Sequence, residues 1–189
     1  MALGIVTPPD VLPVSLAEAK AHLRVSYTDD DEYISDLIEA ATGRLDGAYG
    51  LLGRCILTQT WKATMPVTSA TITLPLGPHQ SVDAINYFDE ARTSQEIDPA
   101  AYVVDNLDTN CPAVITRTDG TAWPRTVSIT FTAGYGDDET FTPGPIKQAI
   151  LLDVSHMFEN REATTTLGFL KELPLGYDHL IAPYRAVAF

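Results

Sequence analysis

The residues of this 189-residue chain best suited to chemistry are four histidines, two cysteines and two acidic runs. His22, His79, His156 and His179 form no HxH or HxxxH pair. Two imidazoles four residues apart would share a helix face and could ligate a metal together. Isolated histidines read instead as satisfied core or surface residues. Asp29-Asp30-Asp31-Glu32 supplies oxygen ligands for a hard cation, but it lacks the alternating spacing and turn glycine of a calcium loop. It reads as a solvated helix start, and Asp137-Asp138-Glu139 reads as a surface turn. Gly134-Tyr135-Gly136 has no third glycine and does not open directly into a helix, so it is turn chemistry rather than a dinucleotide fingerprint. No GxSxG, phosphate-loop or HExxH pattern occurs. Trp61 and Trp123 have no basic residues interleaved with them, so they read as core or interface anchors rather than base-stacking platforms. Cys55 and Cys111 are far apart and read as reduced thiols. No catalytic, metal or cofactor residue is expected.

What the sequence builds around these residues is clearer. Pro8, Pro9 and Pro13 make residues 1–14 an extended lead-in, because proline fixes φ and removes a donor. Ser15 followed by Glu18 predicts a capping box and a short helix over about 15–24. Carboxylates at 29–31 suit the positive end of a second helix, about 31–49. Tyr33, Ile34, Leu37, Ile38, Ala41 and Leu45 recur on one face of it. Gly43, Gly47, Gly50 and Gly53 weaken and stop it.

Residues 56–133 change character. Short runs rich in Thr, Val, Ile and Tyr are broken by Pro and Gly: 58–65, 70–74, 82–88, 102–104, 113–116 and 126–132, with 89–94 a polar tip. Val127, Ile129 and Phe131 alternate with Thr and Ser, the mark of a half-buried strand. Closely spaced strands of this kind predict an antiparallel sheet or small sandwich. Pro145 then opens a helix over about 145–161, apolar on a wide arc. The tail, 173–189, is unusually rich in large apolar residues for a chain end. It reads either as a final helix on its own domain or as a segment docking on a partner. Glu159-Asn160-Arg161-Glu162 reads as a solvated helix end or a polar inter-subunit contact.

The fold class expected is therefore α+β: a small helical bundle with an inserted antiparallel β-region and an extended C-terminal arm. Residues 1–172 form one domain and 173–189 a docking segment. Apolar residues at 45% and charged residues at 20% exclude wholesale disorder. The formal charge is −13, from 12 basic and 25 acidic side chains. A protein that grips nucleic acid or an anionic membrane needs basic residues to displace counterions, so those classes are disfavoured. Residues 1–14 carry no basic start followed by an apolar core, and no apolar run reaches the roughly 20 residues of a membrane span.

Several motifs, taken in order, resemble the phage head–tail connector (adaptor) proteins, which also occur in gene transfer agents. They are Ser15-Leu16-Ala17-Glu18-Ala19-Lys20, His22-Leu23-Arg24-Val25, Asp30-Asp31, Gln59 with Trp61, Pro75 with Pro78 and Val82, and Tyr87 with Asp89. Trp123-Pro124, Phe131 with Gly134-Tyr135, Pro145-Ile146-Lys147-Gln148-Ala149, Glu159-Asn160-Arg161-Glu162 and Leu180 to Arg185 complete the set. Residues 90–118 match least.

The resemblance implies a structural protein without enzymatic activity or cofactor, made in the bacterial cytoplasm and located in the neck of a virion or phage-like particle. It implies a homo-oligomeric ring, commonly dodecameric, below the portal, with a monomer expected before assembly. DNA passes through the channel without specific binding. The partners implied are the portal protein and a stopper or tail-completion protein, with no membrane. Leu180, Ile181, Tyr184, Arg185 and Phe189 are the expected portal-docking residues. The alternatives are a neighbouring stopper or tail-completion protein, a small hydrolase or ligand-binding β-domain, and a soluble DNA-binding regulator.

Overall fold

A computed structural model describes residues 1–109, 111–160 and 175–186. Three helices form the bundle: α1 (Leu16–Leu23), α2 (Asp31–Leu45) and α3 (Gly144–Glu159). The capping box at Ser15 forms as the sequence predicts. Ser15 Oγ accepts from the Glu18 N–H, and the Glu18 carboxylate accepts from the Ser15 N–H. Arg24 ends α1 in the left-handed region, at φ 58°. At α2 the acidic start behaves differently. Asp30 makes no side-chain cap, and Asp31 pairs with Lys20 of α1 instead.

The expected end of α2 near residue 49 moves back to Leu45. The Asp46 carboxylate is drawn away to accept from the Ile56 N–H at 2.6 Å and from Gln59 Nε2 at 2.9 Å. Gly47 turns the chain at φ 74°, a conformation costly for any residue with a Cβ. A Cβ there would also stand 3.3 Å from the Trp61 ring.

Eight strands make two sheets. The larger has the order β1-β2-β8-β4-β5: β1 (Ala2–Thr7), β2 (Gln59–Pro66), β8 (Thr126–Ala133), β4 (His79–Phe88) and β5 (Ser94–Glu96). The smaller is β3-β7-β6: β3 (Thr71–Thr73), β7 (Val114–Arg117) and β6 (Tyr102–Asp105). Neighbours in both are antiparallel. The central strand β8 shows why: Val127, Ile129, Phe131 and Ala133 are buried while the residues between them are not. Its Phe131 lies opposite Trp61 on one side and Val82 on the other. The lead-in is extended as expected, and its first half is recruited to the sheet as β1.

Two hydrophobic cores result. One joins α1, α2 and α3 through Ala19, Ile34, Ile38, Leu45, Ile146, Ile150 and Val154. The other lies between the sheets and joins Trp61, Ile72, Ile85, Ile115, Ile129 and Phe131. Asp46, Gln59 and Trp61 bridge the two. Trp61 Nε1 donates to Gln59 Oε1 at 3.0 Å, and the Gln59 amide donates to Asp46.

The described part of the expected C-terminal arm, residues 175–186, is a short helix, α4 (Leu175–Ile181), and a 3-10 turn, Ala182–Tyr184. It lies on the helical core rather than extending away. The reason is the spacing of Tyr177 and Ile181, which puts both on one helix face, where the bundle buries them.

Candidate functional site

The C-terminal segment meets the bundle at a buried carboxylate. Asp153 of α3 is almost wholly buried. It accepts from Arg44 Nη1 of α2 at 3.0 Å, and the Tyr177 hydroxyl of α4 donates to it at 3.4 Å. The Arg44 guanidinium also sits 5.6 Å above the Tyr177 ring, so three helices meet at one cluster. Burial raises the Asp153 pKa, against the lowering effect of Arg44. Burial and the neighbouring carboxylate push the Tyr177 hydroxyl up to about 12.

The five expected docking residues fall into different environments. Ile181 is fully buried in the chain's own core, and Leu180 packs partly against it. Tyr184 is half-buried and meets Tyr135 edge-on, with ring centroids 6.5 Å apart. Arg185 is exposed and pairs with Asp178 at 2.8 Å. Phe189 lies outside the described residues, as do Arg161 and Glu162. The Ala186 N–H donates to the Leu52 carbonyl at 2.7 Å, which seats the end of the segment on the loop after α2. The surface that remains outward consists of Gly176, Asp178, His179, Ala182, Pro183, Arg185 and Ala186.

Several groups that might have done chemistry are occupied structurally. His79 is buried between the sheets: its Nε2–H donates to the Pro75 carbonyl at 2.8 Å, and Nδ1 accepts from the Ala113 N–H at 3.3 Å. Both ring nitrogens are used, and burial lowers its pKa, so it stays neutral. Cys55 is buried and its thiol is pushed up by that burial, whereas Cys111 is exposed. Glu18 accepts from Lys147 of α3 at 2.9 Å, a bond that lowers its pKa. Asp137-Asp138-Glu139 is a turn, in which Asp138 accepts from the Thr140 N–H. Among the described residues no three His, Cys, Asp or Glu side chains converge on a point.

Two concave regions lie on the β side. A small one of about 270 Å³ touches Gln80, Asp108 and Tyr135. A larger groove of about 1080 Å³ runs beside β5 and the loop before β8. Its wall carries Arg117 stacked over Trp123 at 5.4 Å and paired with Asp119. Trp123 Nε1 donates to the Ala70 carbonyl at 2.8 Å, which locks the ring in place. Trp123 is held as an anchor, as its sequence setting suggests, but the groove beside it is not visible in the sequence. The groove needs the β4–β5 hairpin, which the sequence presents only as a polar tip.

A family model for the phage gp6-like head–tail connector protein matches residues 13–115. No curated protein sequence matches. Among solved structures, a chain of the neck of an empty GTA particle computed with C6 symmetry has a TM-score of 0.79 and 21% identity. A chain of the virion of a native gene transfer agent (GTA) particle has a TM-score of 0.73 and 22% identity. A third, from the neck of a native GTA particle computed with C12 symmetry, has a TM-score of 0.71 and 23% identity. Each alignment covers 100% of this chain and 97% of the other. At these identities the likeness is one of fold.

Proposed function

We propose a function from one premise: this chain belongs to the phage gp6-like head–tail connector family. It is a structural adaptor of the neck of a tailed phage or gene transfer agent. Copies of it form a ring that joins capsid to tail around the DNA channel, and it performs no catalysis. The observation that carries this reading is that the family match and the neck chains agree. The family model covers both N-terminal helices and the β-region as far as β7. The neck chains share the fold over the whole length, α3 and α4 included. The six-fold and twelve-fold symmetries of those necks support a closed ring of copies here.

The portal is the partner assigned to the C-terminal segment. Because Ile181 is spent on the chain's own core, the docking contact consists of the outward side of α4 and the 3-10 turn, with Arg185 its exposed anchor, together with residues 187–189. Arginine is well suited to such a role, combining a flat donor array with an apolar stem. The −13 charge suits a body that surrounds DNA without holding it, since anionic walls repel phosphate.

The test is capture of the portal protein by the full chain, by Arg185→Ala and by a chain lacking residues 174–189. Both variants are expected to lose portal capture. Only the deletion should also lose stability, because Tyr177 and Ile181 leave the core with it. Undiminished capture by the deleted chain overturns the docking role.

A further inference from the structure

The five-stranded sheet ends on two edges of opposite character. One is β1, which among the described residues pairs only with β2. Its Leu3 and Ile5 lie opposite Ala63 and Trp61, so they prolong the apolar face that the second sheet covers further in. The cover does not reach them: Leu3 is only partly buried and Ile5 is 49% exposed. Val6, at a bulge, is 56% exposed. Residues 1–9 carry no charged side chain, and the charge nearest in the ladder is exposed Lys62, opposite Gly4. Apart from that bulge, β1 has, among the described residues, none of the charges, prolines or covering elements that usually blunt a sheet edge.

The other edge is β5, which among the described residues pairs only with β4. The Ile97 N–H and the Thr93 carbonyl bond back toward β4 and its turn, so by alternation the backbone groups of Ser94 and Glu96 point outward. The groove beside β5 offers aromatic surface at Trp123 and Phe88, the latter 72% exposed. Its lining carries Asp89, Glu90, Glu96 and Asp98 against Arg125 and the mutually paired Arg117 and Asp119, a net acidic balance. An apolar strand flanked by a lysine and an aromatic groove flanked by carboxylates are complementary in shape and in charge.

Direction also fits. With five strands and only antiparallel neighbours, β1 and β5 run the same way. Rotation about a ring axis sets β5 of one copy beside β1 of the next in parallel. Pairing β1 with β1 would be two-fold and would stop at a dimer. A ring needs two different surfaces on each copy, and opposite edges of one sheet supply them.

We propose that β1 of each copy adds to the β5 edge of the next, so that a continuous inter-subunit sheet closes the ring, with Lys62 against the acidic lining. This rests on the ring reading above. The test uses Ile5→Cys and Gln95→Cys together in a Cys111→Ser chain. Both positions face the same side of the sheet, since Gln95 lies opposite Tyr87 on the face of Ile85. Within one copy they are four inter-strand spacings apart, about 19 Å, beyond a short bismaleimide.

Particles from producing cells, treated with that reagent and then denatured, should show a ladder of multimers extending past the dimer. Each single-cysteine chain should show none. Particles with a visible neck ring but no ladder overturn this inference and leave the ring intact. Dimers from Ile5→Cys alone overturn it in favour of two-fold pairing. Absence of any ring in native particles overturns both readings. A second arm uses charge: Lys62→Glu and Glu96→Lys should each lower incorporation into particles several-fold, and the two combined should restore it. Single variants that incorporate normally, or a pair no better than either alone, overturn the contact.

Discussion

Asp46 is the residue that most clearly binds the two halves of the fold. It accepts from the Ile56 backbone and the Gln59 amide, while Gln59 in turn accepts from Trp61. That order fixes the amide orientation. Asp46→Asn would set a second NH₂ against the Gln59 NH₂, and flipping Gln59 would break its bond to Trp61. The expected loss is about 1–3 kcal/mol, read from urea unfolding at neutral pH. Burial raises the Asp46 pKa, so the native state holds its proton more tightly than the unfolded chain does. The native chain therefore loses stability as pH rises from the ordinary carboxylate value through the raised one. Asparagine does not titrate, so the gap between native chain and variant is widest at low pH and narrows as pH rises. A gap that widens instead would show that the carboxylate is stabilised by ionisation. The cysteines give a simpler check. Cys111 should react with a thiol reagent in the native protein, and Cys55 only after unfolding.

At the scale of elements, α4 separates what the sequence discloses from what it withholds. The apolar richness of residues 173–189 is visible in the letters, and so is its double meaning. What the letters cannot show is which surface receives Tyr177 and Ile181. Those sites are made by α2 and α3, whose Arg44 and Asp153 are 109 residues apart in sequence. Helix starts and the β8 alternation are legible because capping and period-2 burial are local rules. The end of α2 is not, because it depends on Asp46 being claimed by Ile56 and Gln59. β5 is not, because a three-residue edge strand has no periodicity to read. Ile181→Ala should lower stability by about 2–5 kcal/mol, as removal of a fully buried side chain does. Arg185→Ala should change it by less than about 0.5 kcal/mol, since an exposed ion pair contributes little. Equal losses would mean that α4 is not seated on the core as described.

For the molecule as a whole, the charge and the two sheet edges left open among the described residues are the features that the proposed assembly accounts for. One copy carries −13, and twelve would carry on the order of −150, a field that repels duplex phosphate along a channel. A gel shift with duplex DNA at low salt should therefore detect no complex, and a salt-sensitive shift would reveal a basic face. The central claim is a ring of this chain joining head to tail. Electron cryomicroscopy of the neck in particles from the producing cells tests it most directly. The result expected is a closed ring of copies between the capsid vertex and the tail, each with the three-helix bundle and the five-stranded sheet. Particles with an intact neck in which no position is filled by this fold would contradict it.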